Sequence, residues 1–209
     1  MKTRAILSLA GAALLASVSV ASAGLLITGG TGSTSATNEA SNPFPLNLVG
    51  YGGGSLYAQD AGTYSFTYTG LGNPGFINLF SVSGCGSTFT GYSTPVGTSF
   101  TCTFAANTLI PFTFTADSTG TPKTVANGQA TSNGLGYLVA MTNSTTKPGL
   151  TSGTNAYLGL SDGGTSTDSD YQDLVVQVSE IPEPASLLLL GPVLIGLGLV
   201  RRRVAGPRT

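Results

Sequence analysis

The chain has 209 residues, with 8 Lys+Arg, 9 Asp+Glu, no His and no Trp, and a formal charge of −1. Thirty Gly, 29 Thr and 23 Ser set against so few charges describe a turn-rich β protein rather than a cytosolic enzyme, whose residues are about 25% charged. Without histidine there is no Ser-His-Asp or Cys-His nucleophile, no His-ligated zinc and no imidazole proton shuttle.

At the N-terminus, Lys2 and Arg4 precede an apolar run over residues 5–20, and Ala21 and Ala23 stand at the −3 and −1 positions of a cut after Ala23. That is the layout of a secretory signal helix removed by signal peptidase, so residues 1–23 are expected to direct export. Residues 24–45, dominated by Gly, Thr, Ser and Asn, are expected to form a flexible leader. The domain proper is expected over 46–180, since one domain per ~100–200 residues leaves room for a single core.

Within that body the apolar period is two, not 3.6. Residues 63–69 read Thr-Tyr-Ser-Phe-Thr-Tyr-Thr, with three aromatics on one face and hydroxyls on the other, the mark of a half-buried antiparallel strand. Similar runs at 76–83, 98–104, 108–115, 135–142, 156–160 and 174–179 are separated by Gly, Asn, Pro and Ser. Seven or more short strands at this spacing predict an all-β fold, an antiparallel β-sandwich or jelly roll. Pro111 predicts an edge or a bulge, and residues 116–134 read as a long surface loop.

Cys85 and Cys102 are the only cysteines. In an exported chain they are expected to pair, tying two neighbouring strands across a hairpin. A redox-active pair is disfavoured, because there is no Cys-x-x-Cys spacing and no nearby base.

Asp162, Asp168, Asp170 and Asp173 lie on a Gly/Ser/Thr-rich stretch directly before the run at 174–179. Clustered carboxylates on a flexible loop supply the hard oxygen ligands that 6–8-coordinate Ca²⁺ takes, so these four are the candidate metal ligands. Counted from Asp168, Asp173 and Ser179 occupy the positions where an EF-hand needs Gly and Glu. A solvated acidic turn, its side chains capping backbone amides, accounts for the same residues. Glycosidase chemistry would need two acids held ~5–9.5 Å apart across a sugar, and these are bunched on one loop.

At the C-terminal end, Pro182-Glu183-Pro184 leads into residues 185–200, sixteen without a charge, and then Arg201-Arg202-Arg203. Sixteen helical residues span ~24 Å, a single short transmembrane helix against a ~30 Å core. The arginines would stay cytoplasmic with residues 204–209, leaving the body outside the inner membrane. Between residues 24 and 180 only Lys123 and Lys147 face eight acids, a net charge of −6. Such a body has no basic footprint for nucleic acid.

Pro182-Glu183-Pro184, the Gly-containing apolar segment and the terminal arginines resemble a PEP-CTERM sorting signal over residues 181–203, a tail also catalogued as an ice-binding protein C-terminal domain. The resemblance implies recognition by an exosortase, processing near Pro182, Glu183 and Pro184, and delivery to the cell surface or extracellular matrix of a Gram-negative bacterium. Asp168, Asp170 and Asp173 followed by Leu174-Val175-Val176 also resemble the closing motif of an Asp-rich β-domain of unknown function in bacterial surface proteins. The expectation is a non-enzymatic, exported surface or matrix protein, calcium-stabilised if the loop ligates, with exopolysaccharide as a partner. The alternatives are a carbohydrate-binding or ice-binding module and, further off, a secreted hydrolase.

Overall fold

The computed structural model describes residues 24–34, 48–72, 75–117, 120–129, 131–132, 134–142, 151–163 and 171–182, all within one compact unit, Ser22–Pro182. The signal segment with Ala21 and Ala23, the expected helix at 185–200, Glu183, Pro184 and Arg201 to Arg203 lie outside the described residues, as do Asp168 and Asp170. Among the described residues no helix is long and apolar enough to cross a membrane.

The fold is all-β with three antiparallel sheets. In chain order the strands are β1 (Leu25–Thr28), β2 (Thr31–Thr34), β3 (Val49–Gly52), β4 (Ser55–Ala58), β5 (Gly62–Gly70), β6 (Ile77–Val82), β7 (Thr88–Thr90) and β8 (Ser99–Phe104). They continue with β9 (Thr108–Leu109), β10 (Phe112–Asp117), β11 (Pro122–Ala126), β12 (Thr131–Ser132), β13 (Leu135–Met141), β14 (Ser152–Gly153), β15 (Asn155–Ser161) and β16 (Leu174–Ile181). The large sheet runs β2-β3-β13-β15-β16-β5-β8, with β12 also on β13, and two four-stranded sheets run β11-β10-β6-β7 and β14-β1-β4-β9.

In β5, β6 and β10 the period-two pattern decides which side is inside. Tyr64, Phe66 and Tyr68 of β5 are buried, as are Phe80 and Val82 of β6 and Phe112 and Phe114 of β10. One hydrophobic cluster draws on all three sheets. Phe66 lies 5.2 Å from the Phe100 ring and 6.0 Å from that of Phe80, and Phe112 meets Tyr137 edge-on at 5.3 Å. Burying such a side chain is worth about 1.5–3 kcal/mol, with roughly 0.5–1.5 more for each well-oriented ring pair. A smaller cluster of Leu48, Leu138, Ala140 and Val175, with Tyr157 and Tyr171 against it, forms separately.

Four sequence expectations need correction. Residues 24–34 are not a flexible leader: Leu25 and Ile27 of β1 are buried in the core, and β1 pairs with β4. The rest of that leader, residues 35–45, lies outside the described residues. Residues 116–134 are not simply a loop, because β11 pairs with β10 and buries Val125. Asn127 just beyond it is buried, accepting from Leu56 N–H (2.9 Å) and donating to Leu56 O and Ile110 O (both 2.7 Å). The run 108–115 is two strands, since β9 pairs with β4 and β10 with β6. Pro111, which has no N–H to give a ladder, stands where the chain passes from one sheet to another.

The fourth correction concerns the disulfide. Cys85 and Cys102 are bonded, Cα atoms 5.6 Å apart, but β7 and β8 form no hairpin: β7 pairs with β6 and β8 with β5. The bridge therefore fastens the turn after β6, in one sheet, to the edge strand of another. A disulfide at this position indicates an extracytoplasmic compartment.

Candidate functional site

The loop between β15 and β16 leaves the large sheet at Asp162 and returns at Asp173. The ladder closes at Leu160 opposite Leu174, and Asp173 N–H donates to Leu160 O (3.0 Å). Asp162 N–H donates to Asp173 Oδ2 at 2.6 Å, so one acidic side chain caps the backbone of the other across the loop mouth. Both residues are nearly out of solvent, at 8% and 4% exposure.

Asn78 of β6 completes the cluster from the opposite sheet. β6 alternates Asn78, Phe80, Val82 toward the interior, which brings the Asn78 amide beneath the loop mouth at 1% exposure. Its Nδ2 donates to Asp162 Oδ2 (2.8 Å) and to Asp173 O (3.2 Å). Its Oδ1 is buried with no hydrogen-bond partner, and an acceptor left without a donor is destabilising by ~1–3 kcal/mol. The amide orientation is decided by its neighbour, because a carboxylate beside Asn78 can only accept.

The return of the loop is tightly built. Gly72 N–H donates to Gln172 O at 2.7 Å, and a Cβ on Gly72 would come within 2.7 Å of Gln172 Cδ, so a larger residue there would displace the Gln172 side chain. Tyr171 holds φ at +51°, a left-handed conformation uncommon outside glycine and asparagine, with its ring against the smaller cluster. A left-handed residue at the loop end turns Gln172 and Asp173 inward.

Of the four candidate ligands, Asp162 and Asp173 are brought together, while Asp168 and Asp170 lie on the part of the loop outside the described residues. Among the described residues no three His, Cys, Asp or Glu gather where they could hold a metal ion. What the described part contributes is oxygen: two carboxylates and the Asn78 carbonyl. The only Lys or Arg among the described residues is Lys123, which is exposed on β11. Two neighbouring buried carboxylates repel each other at an effective dielectric far below that of water, and a hard cation at the loop mouth would relieve that repulsion while giving Asn78 Oδ1 a partner.

Sequence reading passed over Asn78 and Gln172. Asn78 had a visible signal, a polar residue in phase with Phe80 and Val82, but its partners lie 84 and 95 residues away.

Elsewhere the buried polar groups include, besides Asn127, tyrosine hydroxyls. Tyr64 OH donates to Asp60 O (2.9 Å) and lies 3.1 Å from Gly24 O; burial, then the charges of Glu180 and Asp60, push its pKa up to about 12. Tyr137 OH accepts from Gly128 N–H (2.7 Å) and donates to Gly54 O (2.9 Å), and burial pushes it up to about 12 as well. These tyrosines close the interior.

A groove of about 450 Å³ lies between the edge strands β7 and β8. Ser87, Thr88, Thr98 and Ser99 line it with Phe89 and Phe100, whose rings are 5.0 Å apart. Comparison of the chain with protein-family models, curated proteins and solved structures finds no match.

Proposed function

We propose that this chain is an exported, non-enzymatic protein of the cell surface or extracellular matrix, its body a jelly-roll-like β-sandwich. Its PEP-CTERM-like tail, with Pro182, Glu183, Pro184 and Arg201 to Arg203, holds it at the inner membrane through one helix. An exosortase-type enzyme then passes it to an exopolysaccharide or biofilm matrix. The observation that carries this reading is the Cys85–Cys102 bridge between two sheets, a bond that persists in oxidising compartments. The charge pattern supports it, since six of the eight basic residues flank the two apolar end segments.

Calcium, in this reading, closes the β15–β16 loop through Asp162 and Asp173, with Asp168, Asp170 and Asn78 Oδ1 supplying further oxygens. The Asp173 carboxylate accepts from the Asp162 backbone and the Asp162 carboxylate accepts from Asn78, an arrangement that supports closure over hydrolysis as their role. Cell fractionation with and without residues 181–209 tests sorting: the full chain is expected at the surface and the truncated one released in the periplasm. An identical distribution of the two rejects the tail's role. For the metal, thermal melting with and without excess Ca²⁺ is compared between the parent and an Asp168→Ala/Asp170→Ala variant. A calcium-dependent rise confined to the parent is expected, and its absence removes the metal.

A second reading, a carbohydrate-binding module, is favoured by the β7–β8 groove, in which hydroxyls border two aromatic rings and no charged side chain intervenes. A glycan array decides it, with neutral sugars expected to bind and a blank array ruling it out.

A further inference from the structure

We infer that β8 is a self-association edge, on which a second copy of this chain adds its own β8 in antiparallel register about a two-fold axis at Thr101. The reasoning starts from which backbone groups β8 leaves open. Tyr68 N–H donates to Thr98 O (2.9 Å) and Gly97 N–H to Tyr68 O (2.8 Å), and the pairing continues as Phe66 opposite Phe100 and Tyr64 opposite Cys102. In an antiparallel ladder hydrogen-bonded and non-bonded pairs alternate, so Phe100, Cys102 and Phe104 turn their N–H and C=O toward β5. Ser99, Thr101 and Thr103 turn theirs away. The close hydroxyl contacts of Thr63 with Thr103 (3.1 Å) and Thr67 with Ser99 (2.8 Å) mark those as the non-bonded pairs. β8 ends the large sheet, and no described strand pairs its outer side.

Open edges are ordinarily blunted by shortness, proline, charge or a bulge. The other edges among the described strands are: β7, β9, β12 and β14 have two or three residues, β11 begins Pro122-Lys123, and β2 has four residues. β8 has six residues, no proline, no charge and an unbroken register with β5. The Cys85–Cys102 bond anchors its centre, so the edge is held extended before any partner arrives and little ordering entropy is lost on pairing.

Charge and register select the occupant. A two-fold axis at Thr101 sets Thr101 against its own copy and Ser99 against Thr103 of the other chain, which aligns every outward N–H and C=O in about six hydrogen bonds. Two-fold pairing puts a charged side chain at the axis position opposite its like. The exposed residues of this strand are Ser99, Thr101 and Thr103, and hydroxyls tolerate self-juxtaposition. One strand pair buries less than the ~1,600 Å² of a standard interface, so the association is weak and concentration-dependent. It strengthens with salt, because the bodies carry like net charge while the contact is neutral.

The test is sedimentation equilibrium of the purified full-length protein over a wide concentration range, at low and high salt. Thr101→Lys, which sets two ammonium groups face to face, should weaken dimerisation by at least about tenfold. Thr124→Lys, on exposed β11 of another sheet, should leave it unchanged. Amide exchange of Thr101 and Thr103 should slow as concentration rises, in the parent but not in Thr101→Lys. A monomer at every concentration, also the result if a segment of this chain covers β8, overturns the proposal. So does a dimer indifferent to Thr101→Lys, or concentration-dependent exchange that spares Thr101 and Thr103.

Discussion

Phe80 and Asn78 leave the same strand in the same direction, two residues apart, and enter different interiors. Phe80 joins Phe66, Phe89, Phe112 and Phe114, with ring centroids 5.2–6.0 Å apart, where shape and area decide stability and no polar atom needs a partner. Asn78 enters a pocket of carboxylate and carbonyl oxygen, where each atom must be hydrogen-bonded, and its own Oδ1 is not. The aromatic region reaches its lowest energy by packing alone. The acidic region, with the residues described, does not, and that asymmetry is the physical reason to look for a cation there and not elsewhere.

The comparison breaks most decisively at Phe80. Phe80→Ala should lower stability by about 3–5 kcal/mol, read from the denaturant midpoint, and a loss below about 1 would mean the rings are not the principal core. Next in size is the bridge: Cys85→Ser with Cys102→Ser should destabilise by roughly 3 kcal/mol in the chain-entropy model for a 17-residue separation, reproduced by a reductant on the parent. The acidic pocket should then respond in a way no apolar site does. Calcium at a hundredfold excess over its dissociation constant should stabilise the parent by ~2.7 kcal/mol. Asp162→Asn should lose that gain while matching the parent within about 1 kcal/mol when calcium is chelated, because it removes charge repulsion along with a charged acceptor. An Asp162→Asn variant that still gains stability from calcium would exclude this site.

Smaller effects come from the buried hydroxyls. The pKa values of Tyr64 and Tyr137 stand near 12 in the folded chain against 10 when unfolded, so the neutral form is favoured by folding. Their contribution is fully present below pH 10 and is lost as pH rises toward 12. Tyrosinate absorbance should therefore show late-titrating groups whose ionisation coincides with loss of structure. Tyr64→Phe should cost about 0.5–1.5 kcal/mol and remove one late group.

Several features were legible because they are local. Alternation in residues 63–69 placed Tyr64, Phe66 and Tyr68 inside, and the runs that became β6, β8, β13, β15 and β16 were found within a residue or two. Other strands were hidden by composition. β3 and the turn after it read Val-Gly-Tyr-Gly-Gly-Gly, without an alternating pattern, yet a Cβ on Gly50 would come within 2.6 Å of Val139 O, so glycine there serves close approach between strands rather than flexibility. β1 escaped notice because its burial depends on β4, some thirty residues on. In the acidic site, Asp162 and Asp173 were visible as a local cluster and Asn78 was not.

By itself the sequence determined the class of fold, the inward face of most long strands, the pairing of the only two cysteines and the lack of imidazole chemistry. Each follows from composition or from a period that a strand imposes on its own residues. Tertiary structure alone decided that the bridge joins sheets instead of a hairpin, that Asn78 meets Asp162 and Asp173, and that β8 is the long open edge among the described strands. Those outcomes depend on which strands become neighbours, and neighbours far apart in the chain are selected by the energy of the whole core, which no local pattern encodes.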